Sequence, residues 1–298
     1  MIKRLLATGV TGFVGAPCLQ ELLLAGFDEI HAVSRTGAGP AAPALRWHAA
    51  DLRVEAAATG LVRDLRPTHV FHAAWTATPG TYLASPDNRA WMEATVAMVR
   101  AFAEQGGRRF VGVGSAAEYG PCVAPCVEDL TPLSPVSLYG ETKAVTWQSI
   151  EAIADAHGME AVWGRMFTPY GPGDRPQRLI PVAIAKLRAG EPVPLTRGDP
   201  WRDFVYTPDA ARMLAGLMQA SVTGVFNIGS GEPTTARSVI EAVADRLNMR
   251  ERLQFADLGP MPWEPAFLVA DMRKVSELGL VVRTPLVDAL DKLIRAAP

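Results

Sequence analysis

Tyr139 and Lys143 are two side chains whose types and spacing suggest acid–base chemistry. They lie four residues apart in the segment Tyr139-Gly140-Glu141-Thr142-Lys143, so in a helix both leave the same face, one turn apart. A tyrosine hydroxyl has an ordinary pKa near ~10, and a neighbouring ammonium lowers that pKa by favouring the phenolate. We therefore expect Lys143 to lower the pKa of Tyr139. Such pairs also occur by chance. Whether this pair is catalytic therefore has to be judged from the other motifs and from the strands and helices predicted around it.

The composition indicates a globular protein whose partners are small molecules or other copies of the chain. The 298 residues are 49% hydrophobic and 20% charged, with a net charge of -2. No basic block or basic-aromatic patch suggests binding to nucleic acid. No apolar run approaches the length that spans a membrane. The first apolar run is too short for a signal peptide, so we expect a cytoplasmic protein without membrane partners.

The three cysteines predict neither a disulfide framework nor a metal site. Cys18, Cys122 and Cys126 form an odd set in a chain of this size, which argues against paired disulfides. Cys122 and Cys126 flank Val-Ala-Pro, but no second pair or histidine cluster completes a metal-binding pattern. We expect no bound metal and interpret both residues as loop residues.

A glycine-rich turn follows the first predicted strand, residues 2–7, and precedes leucines at helical spacing. Glycines let the backbone turn tightly and approach a diphosphate, whose charge then meets the free N–H groups of the helix N-terminus. The spacing Gly-x-x-Gly-x-x-Gly differs from the commoner Gly-x-Gly-x-x-Gly, but its position between strand and helix predicts a dinucleotide site. The residues assigned to the cofactor here are Gly9, Thr11, Gly12, Phe13, Val14 and Gly15.

Arg35 stands where NAD sites usually have an acidic residue. It follows Ser34 at the end of the second predicted strand, residues 29–33. An acidic residue would hold the ribose 2'-hydroxyl of NAD, whereas an arginine suits the 2'-phosphate of NADP. We predict that NADP is preferred and that Ser34 and Arg35 contact it, with NAD still possible. The alternative is a solvated loop arginine, because Gly-Ala-Gly-Pro follows closely.

Alternating strand and helix patterns predict an α/β fold with a doubly wound parallel sheet. In such folds ligands bind at the carboxyl ends of the strands, where Ser115 follows the fifth predicted strand. The predicted strands lie at residues 2–7, 29–33, 45–50, 68–74, 109–114 and 159–166, and predicted helices follow Gly15 and lie at residues 54–66, 89–105 and 137–157.

The sequence pattern changes after Phe167, where prolines and glycines interrupt residues 168–176. This change predicts a Rossmann domain at residues 1–167 and a mainly substrate-binding domain at residues 168–298. We expect a segment near residues 203–230 to return and pack on the first domain. Predicted helices lie at residues 179–189, 210–219, 236–247 and 285–296, with a strand at 225–228.

Together these motifs resemble the extended short-chain dehydrogenases/reductases of the nucleotide-sugar epimerase/dehydratase family. The N-terminal half contributes the glycine turn, Ser115 and Tyr139-x-x-x-Lys143. The resemblance extends over nearly the whole chain, and its family has a Rossmann sheet with a smaller C-terminal substrate domain. The matching C-terminal segments are residues 165–173, 201–211 and 224–231.

The resemblance implies roles for individual residues. Ser115 is expected to hydrogen-bond the reacting oxygen, Tyr139 to exchange the proton, and Lys143 to bind the nicotinamide ribose while lowering the pKa of Tyr139. Arg202 is expected to hold the substrate diphosphate, with an ion pair to Asp203 or Asp199 as the alternative. The remaining residues expected at the cofactor are Asp51, Leu52, Ala73, Ala74, Trp75 and Phe167.

Departures from the family pattern narrow the expected activity. Ala116 and Ala117 stand where 4,6-dehydratases carry an Asp-Glu pair, so we do not expect dehydration. Glu118 lies one place further on, and we do not assign it that role. Thr168 replaces the usual Asn after the sixth strand, which leaves its expected substrate contact uncertain.

A second departure concerns the helix after the fourth strand. Trp91 occupies a position that often carries Asn, and Asn88, one turn earlier, is a candidate substitute. Trp75 and Thr76, with the residues up to Tyr82, are expected to form a wall of the sugar pocket. For Trp75, simple packing is the alternative interpretation.

The main hypothesis is NADPH-dependent reduction of a nucleotide-linked keto-deoxysugar, at C4. A nucleotide-sugar 4-epimerase with tightly bound NAD is the alternative. A non-catalytic nucleotide-sensing protein is a third possibility, although such relatives typically lack the Tyr-x-x-x-Lys pair. The expected partners are a nucleotide-diphosphate sugar and, by resemblance, a second copy of the chain bound through the helices at residues 89–105 and 137–157.

Overall fold

The computed structural model describes residues 2–195, 200–255 and 265–297. Strands and helices alternate through the first half of the chain, and shorter strands appear in the second half. The strands are β1 (Arg4–Thr8), β2 (Glu29–Ser34), β3 (Leu45–Ala49), β4 (His69–His72), β5 (Arg109–Ser115), β6 (Glu160–Met166), β7 (Thr168–Tyr170), β8 (Val193–Leu195), β9 (Trp201–Tyr206), β10 (Gly224–Ile228), β11 (Pro233–Thr235), β12 (Leu253–Phe255) and β13 (Phe267–Leu268). The helices are α1 (Gly15–Leu23), α2 (Glu55–Leu65), α3 (Asp87–Glu104), α4 (Leu138–His157), α5 (Leu179–Arg188), α6 (Thr207–Gln219), α7 (Ala236–Leu247), α8 (Arg273–Ser276) and α9 (Leu286–Ala296).

Seven strands of the described chain form one parallel sheet in the order β10-β6-β5-β4-β1-β2-β3. Its central strands are apolar on both faces because helices cover both sides. Helices α1 and α6 pack on one face, and α2, α3 and α4 pack on the other. This arrangement confirms the predicted doubly wound α/β fold.

Strand β1 lies where the order of the sheet reverses. From β1 the chain proceeds outward to β2 and β3, and it then returns to β4 on the other side of β1. The crossovers on the two sides leave a crevice at the carboxyl ends of β1 and β4, which is where ligands bind in such sheets.

Among the described residues after position 167, one strand joins this sheet. β10 pairs in parallel with β6, with Gly224 opposite Val162 and Ile228 opposite Met166. Helix α6, which precedes β10, packs against α1. The division into domains at residues 1–167 and 168–298 stays a prediction.

A smaller mixed sheet lies beyond the main one. Its central strand is β9, which pairs with β7 and β13 in parallel and with β11 antiparallel. Helices α5, α7 and α9 enclose a separate apolar cluster that includes Leu187, Phe204 and Ile240. The sequence did not predict most of these strands, since runs of two to six residues are too short to show a clear periodicity.

The two loop cysteines are closer to each other than their sequence pattern indicated. Cys122 and Cys126 are free thiols outside the helices and strands, as expected. Cys126 is fully buried, however, and its thiol donates to the sulfur of Cys122 at 3.4 Å. The backbone of each also forms an isolated β-bridge with the segment around β13: Cys122 pairs with Phe267, and Cys126 pairs with Ala270.

Candidate active site

A cavity of about 1140 Å³ opens at the carboxyl ends of the central strands. It extends from the ends of β2 and β3, across the end of β1, to residues of the C-terminal half. The predicted site residues that line it are Gly9, Thr11, Gly12, Phe13, Val14, Gly15, Ser34, Arg35, Asp51, Leu52, Ala73, Ala74, Trp75, Thr76, Ser115, Tyr139, Lys143, Phe167, Thr168 and Arg202. The fold therefore places the predicted site residues around one space, and their individual roles stay predictions.

The glycine turn leaves room that no other residue type would leave. Gly9 has a φ of +72°, and a Cβ built on it would lie 2.3 Å from the backbone carbon of Ala73. A Cβ on Gly15 would lie 2.2 Å from the carbonyl oxygen of Gly9. Helix α1 begins at Gly15 without a side-chain cap on its first N–H groups. This cradle fits the diphosphate of a dinucleotide, which needs close backbone approach and open N–H donors.

Two arginines line the cavity at the ends of β2 and β3. Arg35 is exposed at the end of β2, whereas the Ser34 hydroxyl donates to the carbonyl oxygen of Ala38 at 2.9 Å and shapes the turn. Arg53 donates to Asp51 through Nη2 at 2.7 Å, and this pairing lowers the pKa of Asp51 to about 2. Arg53 was not predicted as a site residue, although its position two residues after Asp51 could have indicated that it lies near the cofactor.

Ser115 and Tyr139 are brought together by close packing at Gly140. Ser115 is the last residue of β5, and Tyr139 lies in the first turn of α4, which Ser137 caps by accepting from the Gly140 N–H at 3.2 Å. A Cβ on Gly140 would lie 2.3 Å from the carbonyl oxygen of Ala117. The first turn of α4 thus lies directly against the turn that follows Ser115.

The ammonium group of Lys143 is buried and held by the protein itself. Its Nζ donates to the carbonyl oxygen of Val113 at 2.7 Å and lies 3.8 Å from the ring centre of Trp75. The ring of Trp163 is further away, at 5.3 Å. Burial lowers the pKa of Lys143 to about 7, although the charge of Glu118 acts in the opposite direction.

The expectation that Lys143 lowers the pKa of Tyr139 is wrong in this structure. Burial raises the pKa of Tyr139, and the neighbouring Tyr82 raises it further. A hydrogen bond with the Ser115 side chain and the charge of Arg178 oppose the increase but are weaker. The physical reason is that the Lys143 ammonium is directed to Val113 and Trp75, so Tyr139 keeps its proton at neutral pH.

Glu118 lies behind Ser115 and does not line the cavity. Its fully buried carboxylate accepts hydrogen bonds from the backbone N–H of Ser115 at 2.8 Å, from Trp163 Nε1 at 2.9 Å and from Arg165 Nε at 2.8 Å. The cavity wall itself carries Ala116 and Ala117. The carboxylate is therefore turned away from any substrate in the cavity.

Aromatic side chains form one wall of the cavity. Tyr82 meets Tyr139 edge to face, with ring centres 4.9 Å apart, and Trp75 stacks on Trp91 at 6.1 Å. Trp91 Nε1 donates to Thr76 Oγ1 at 2.8 Å. Asn88, considered as a substitute for a substrate-binding Asn, is buried behind this wall and bonds Trp75, so that interpretation is wrong.

Three arginines lie at the C-terminal side of the cavity. Arg202 donates to the carbonyl oxygens of Trp201 and Pro265 at 2.9 and 2.7 Å. Arg175 and Arg178 also line the cavity, and neither was predicted from the sequence, although both follow the Gly-Pro-Gly turn closely. Arg178 pairs with Asp174 at 3.3 Å, which holds its guanidinium near the ring of Phe13.

The alternative assignment for Arg202 was an ion pair with Asp203 or Asp199. The Asp203 carboxylate is fully buried and accepts the backbone N–H groups of Ser230 and Gly231 at 2.6 and 2.8 Å. Asp199 lies outside the described residues. Within the described ranges, no group of three or more His, Cys, Asp or Glu side chains is arranged to hold a metal ion.

The sheet, the glycine turn at its switch point and the Ser-Tyr-Lys set define a Rossmann-fold enzyme of the short-chain dehydrogenase/reductase type. The sequence profile of the NAD dependent epimerase/dehydratase family matches residues 5–229. The chain belongs to this family, as its motifs indicated. Among the helices of the described residues, none has the length and apolar composition required to cross a bilayer.

Named relatives include both reductases and epimerases. The dTDP-4-dehydro-6-deoxyglucose reductase of Escherichia coli is 29% identical over 184 residues, which cover 60% of this chain and 57% of that protein. The UDP-glucose 4-epimerase of Azospirillum brasilense is 26% identical, covering 99% of this chain and 90% of that protein. The UDP-glucose 4-epimerase of Thermus thermophilus, solved in complex with NAD, superposes with a TM-score of 0.86 at 25% identity, covering 99% of this chain and 100% of that one.

Proposed function

We propose that the protein is an oxidoreductase that acts at C4 of a nucleotide-linked sugar. The observation that carries this proposal is the meeting of Ser115, Tyr139 and Lys143 with the glycine turn around one cavity. A nicotinamide cofactor, when bound, supplies or accepts the hydride. The chain's own residues hold that cofactor, orient the sugar and move the proton.

Tyr139 supplies the proton in this proposal. Because burial raises its pKa, the phenol stays protonated at neutral pH and can donate to the oxygen of a carbonyl that is being reduced. Ser115 lies beside it and orients that oxygen through its hydroxyl. Lys143, one turn further along α4, holds the nicotinamide ribose. The same phenol accepts the proton when the reaction runs in the oxidising direction.

The residues on the C-terminal side of the cavity are consistent with a nucleotide-diphosphate sugar as the substrate. Arg175, Arg178 and Arg202 line one side of the cavity, and guanidinium groups are well suited to bidentate contact with phosphate oxygens. The opposite wall, with Trp75 and Tyr82, offers an apolar surface to a sugar ring. The relatives named above act, by their names, on dTDP-linked and UDP-linked sugars.

Two finer functions compete, and each has its own support. The Azospirillum brasilense relative and the Thermus thermophilus structure are named UDP-glucose 4-epimerases, the latter in complex with NAD, which favours the epimerase. Arg35 and Arg53 at the ribose end favour NADPH, the cofactor expected of an enzyme that reduces a keto-deoxysugar. The site geometry thus supports a 4-ketoreductase, whereas the comparisons support a 4-epimerase more strongly.

One pair of assays separates these functions. A ketoreductase is expected to oxidise NADPH when given a nucleotide-linked 4-keto-6-deoxysugar, and to be purified without bound cofactor. An epimerase is expected to interconvert UDP-glucose and UDP-galactose without added cofactor and to release NAD on denaturation. Activity in neither assay, across dTDP-, UDP-, CDP- and GDP-linked sugars, would refute the proposed function.

The Tyr139→Phe variant tests the mechanism. Turnover is expected to fall by at least about a hundredfold, because general acid–base catalysis contributes roughly that much or more, while cofactor affinity stays unchanged. Tyr206→Phe is the matched control, since Tyr206 is buried outside the cavity and should leave turnover unchanged. Unaltered turnover in Tyr139→Phe would contradict the mechanism.

Cofactor choice is tested separately from turnover. We expect the wild type to bind NADPH more tightly than NADH, and Arg35→Ala to remove that preference, because a 2'-phosphate would lose its guanidinium partner. Fluorescence titration of both cofactors measures this directly. A clear NADH preference in the wild type would refute the NADP assignment and favour the epimerase.

We also infer a homodimer formed through α3 and α4. These helices pack side by side on one face of the sheet, and the hollow between them is lined by Met92, Val96 and Val145. Val145 is exposed despite being apolar. Sedimentation equilibrium is expected to give a dimer for the wild type and a monomer for Val145→Glu; a monomeric wild type would overturn the inference.

A further inference from the structure

Lys143 has an aromatic neighbour where a buried cation usually has a carboxylate. Its Nζ lies 3.8 Å from the ring centre of Trp75, and among the described residues no acidic side chain forms an ion pair with it. We propose that Trp75 is a positioning residue whose indole face substitutes for a counter-ion, keeping the Lys143 ammonium charged and in place at the Val113 carbonyl, one turn of α4 from Tyr139. The role of Lys143 in turnover rests on the proposed function; the contact with Trp75 does not.

The indole of Trp75 is fixed on its far side by a buried amide. Its Nε1 donates to Asn88 Oδ1 at 2.8 Å, and Asn88 Nδ2 donates to the carbonyl oxygen of Tyr82 at 2.7 Å. Asn88 is only 1% exposed. Trp91 stacks on the indole with an interplanar angle of 23°. These contacts orient the ring so that Lys143 meets its face.

The same indole also contacts the other member of the catalytic pair. The ring of Tyr139 meets Trp75 edge to face, with centres 6.3 Å apart. The backbone N–H of Tyr139 donates to the carbonyl oxygen of Leu83 at 3.0 Å, within the segment that follows Trp75. The same indole therefore contacts both members of the pair that α4 carries.

The electrostatic argument depends on what surrounds Lys143. The titratable groups that interact with its charge are Glu118 from behind β5 and His72 from β4. Burial keeps His72 neutral by lowering its pKa to about 3, and Glu118 is already paired with Arg165. Aromatic faces attract cations more strongly when both are desolvated, so the indole adds to the Val113 carbonyl and the Glu118 charge in offsetting the burial of Lys143.

The experiment is a titration of the lysines in the protein without substrate. The chain has five lysines, so selective 13C labelling at Cε gives few NMR signals, and Lys143→Arg assigns the one of interest. Trp75→Leu keeps the site apolar but removes the aromatic face, and we expect the protonation constant of Lys143 to fall about tenfold. Trp75→Phe keeps an aromatic face and is expected to stay within about threefold of the wild type.

Trp47→Leu is the matched control, because Trp47 lies on β3, where its Nε1 donates to the carbonyl oxygen of Pro40 away from Lys143; it should leave the protonation constant unchanged. An unchanged constant in Trp75→Leu, or equal changes in the Leu and Phe variants, would overturn the proposal. If Trp75→Leu does not fold, Asn88→Leu removes the anchor but keeps the indole. It is expected to lower the constant by a smaller factor, and no change there would also overturn the proposal.

The pH profile of turnover extends the test to the reaction. In Trp75→Leu, the apparent protonation constant of Lys143 in the pH profile of kcat is expected to fall by the same factor as the constant measured by NMR. In Trp75→Phe, the pH profile is expected to resemble that of the wild type. A merely structural role would lower kcat equally at every pH, and that result would refute the positioning role. Absence of turnover with any nucleotide sugar, together with the expected NMR shift, would refute the proposed function and leave the contact established.

Discussion

Arg165 donates from Nε to the carboxylate of Glu118 at 2.8 Å, and both side chains are almost completely buried. The same carboxylate accepts the backbone N–H of Ser115 at 2.8 Å. The end of β5 is therefore held by an ion pair that reaches across to β6. Whatever Ser115 does at the cavity, its position depends on this pair, because the fully buried Glu118 carboxylate accepts the Ser115 N–H and is itself held by Arg165.

Glu118→Gln is expected to lower the free energy of unfolding by about 3 kcal/mol. The substitution keeps the size of the side chain but leaves the Arg165 charge buried without its partner, and breaking a buried pair costs about that much. Urea unfolding measures the change. Glu104→Gln, at the exposed end of α3, is the matched control and should stay within about 0.5 kcal/mol of the wild type. A loss below about 1 kcal/mol in Glu118→Gln would contradict the prediction.

The sequence predicted the main sheet well because its strands are long, apolar and separated by helices. The ends of parallel strands share one edge, so Ser115, Ala73 and the glycine turn could be assigned to one site without coordinates. The observed strand and helix boundaries differ slightly from the predicted ones. β4 ends at His72, which leaves Ala73 beyond the strand, and α3 begins at Asp87 rather than Arg89.

The side-chain directions within the site could not be predicted from sequence. Spacing placed Lys143 on the same helix face as Tyr139, but the direction of its ammonium depends on Val113 and Trp75, which come from distant segments. The position of Arg178 in the cavity likewise depends on its pairing with Asp174. These contacts are tertiary, and local periodicity carries no information about them.

Gly9→Ala is expected to prevent folding or to abolish cofactor binding. The new Cβ would meet Ala73 at 2.3 Å, and the backbone at φ +72° is also unfavourable for alanine. Gly26→Ala separates these causes, because Gly26 has a φ of +73° but nothing within 4 Å of a Cβ. We expect Gly26→Ala to cost only about 1 kcal/mol in urea unfolding and to bind cofactor normally. Equal effects of the two substitutions would show that close approach to Ala73 is unimportant.

Arg53→Ala is expected to weaken NADPH binding about tenfold, which corresponds to about 1.4 kcal/mol. Arg53 lines the cavity together with Arg35, and losing it removes positive charge near the site proposed for the 2'-phosphate. NADH affinity should change much less, since NADH lacks that phosphate. Arg63→Ala, on the exposed side of α2, is the control, and fluorescence titration measures each affinity. Equal weakening of both cofactors by Arg53→Ala would show that Arg53 does not contact the 2'-phosphate.

His72 makes folding stability depend on pH in a defined direction. Burial lowers the pKa of His72 to about 3, and its two ring nitrogens lie 2.8 Å from Thr8 Oγ1 and 3.1 Å from Thr95 Oγ1. The unfolded chain, with an ordinary histidine pKa near ~6.5, binds a proton that the folded protein excludes. The stabilising contribution is therefore complete above about pH 6.5 and is lost progressively as the pH falls towards about 3.

His72→Gln is expected to reduce this dependence. Near pH ~5.5 one such histidine contributes a slope of about 1 kcal/mol per pH unit to the free energy of unfolding, so the variant's slope should be smaller by that amount. The burial that lowers the pKa of His31, His48 and His69 acts in the same direction and stays in both proteins, so the difference isolates His72. His157→Gln, exposed at the end of α4, should leave the slope unchanged. Parallel stability curves for wild type and His72→Gln would mean that His72 accepts a proton in the folded state. That result would contradict the structure, in which the buried ring uses both nitrogens in hydrogen bonds to β1 and α3.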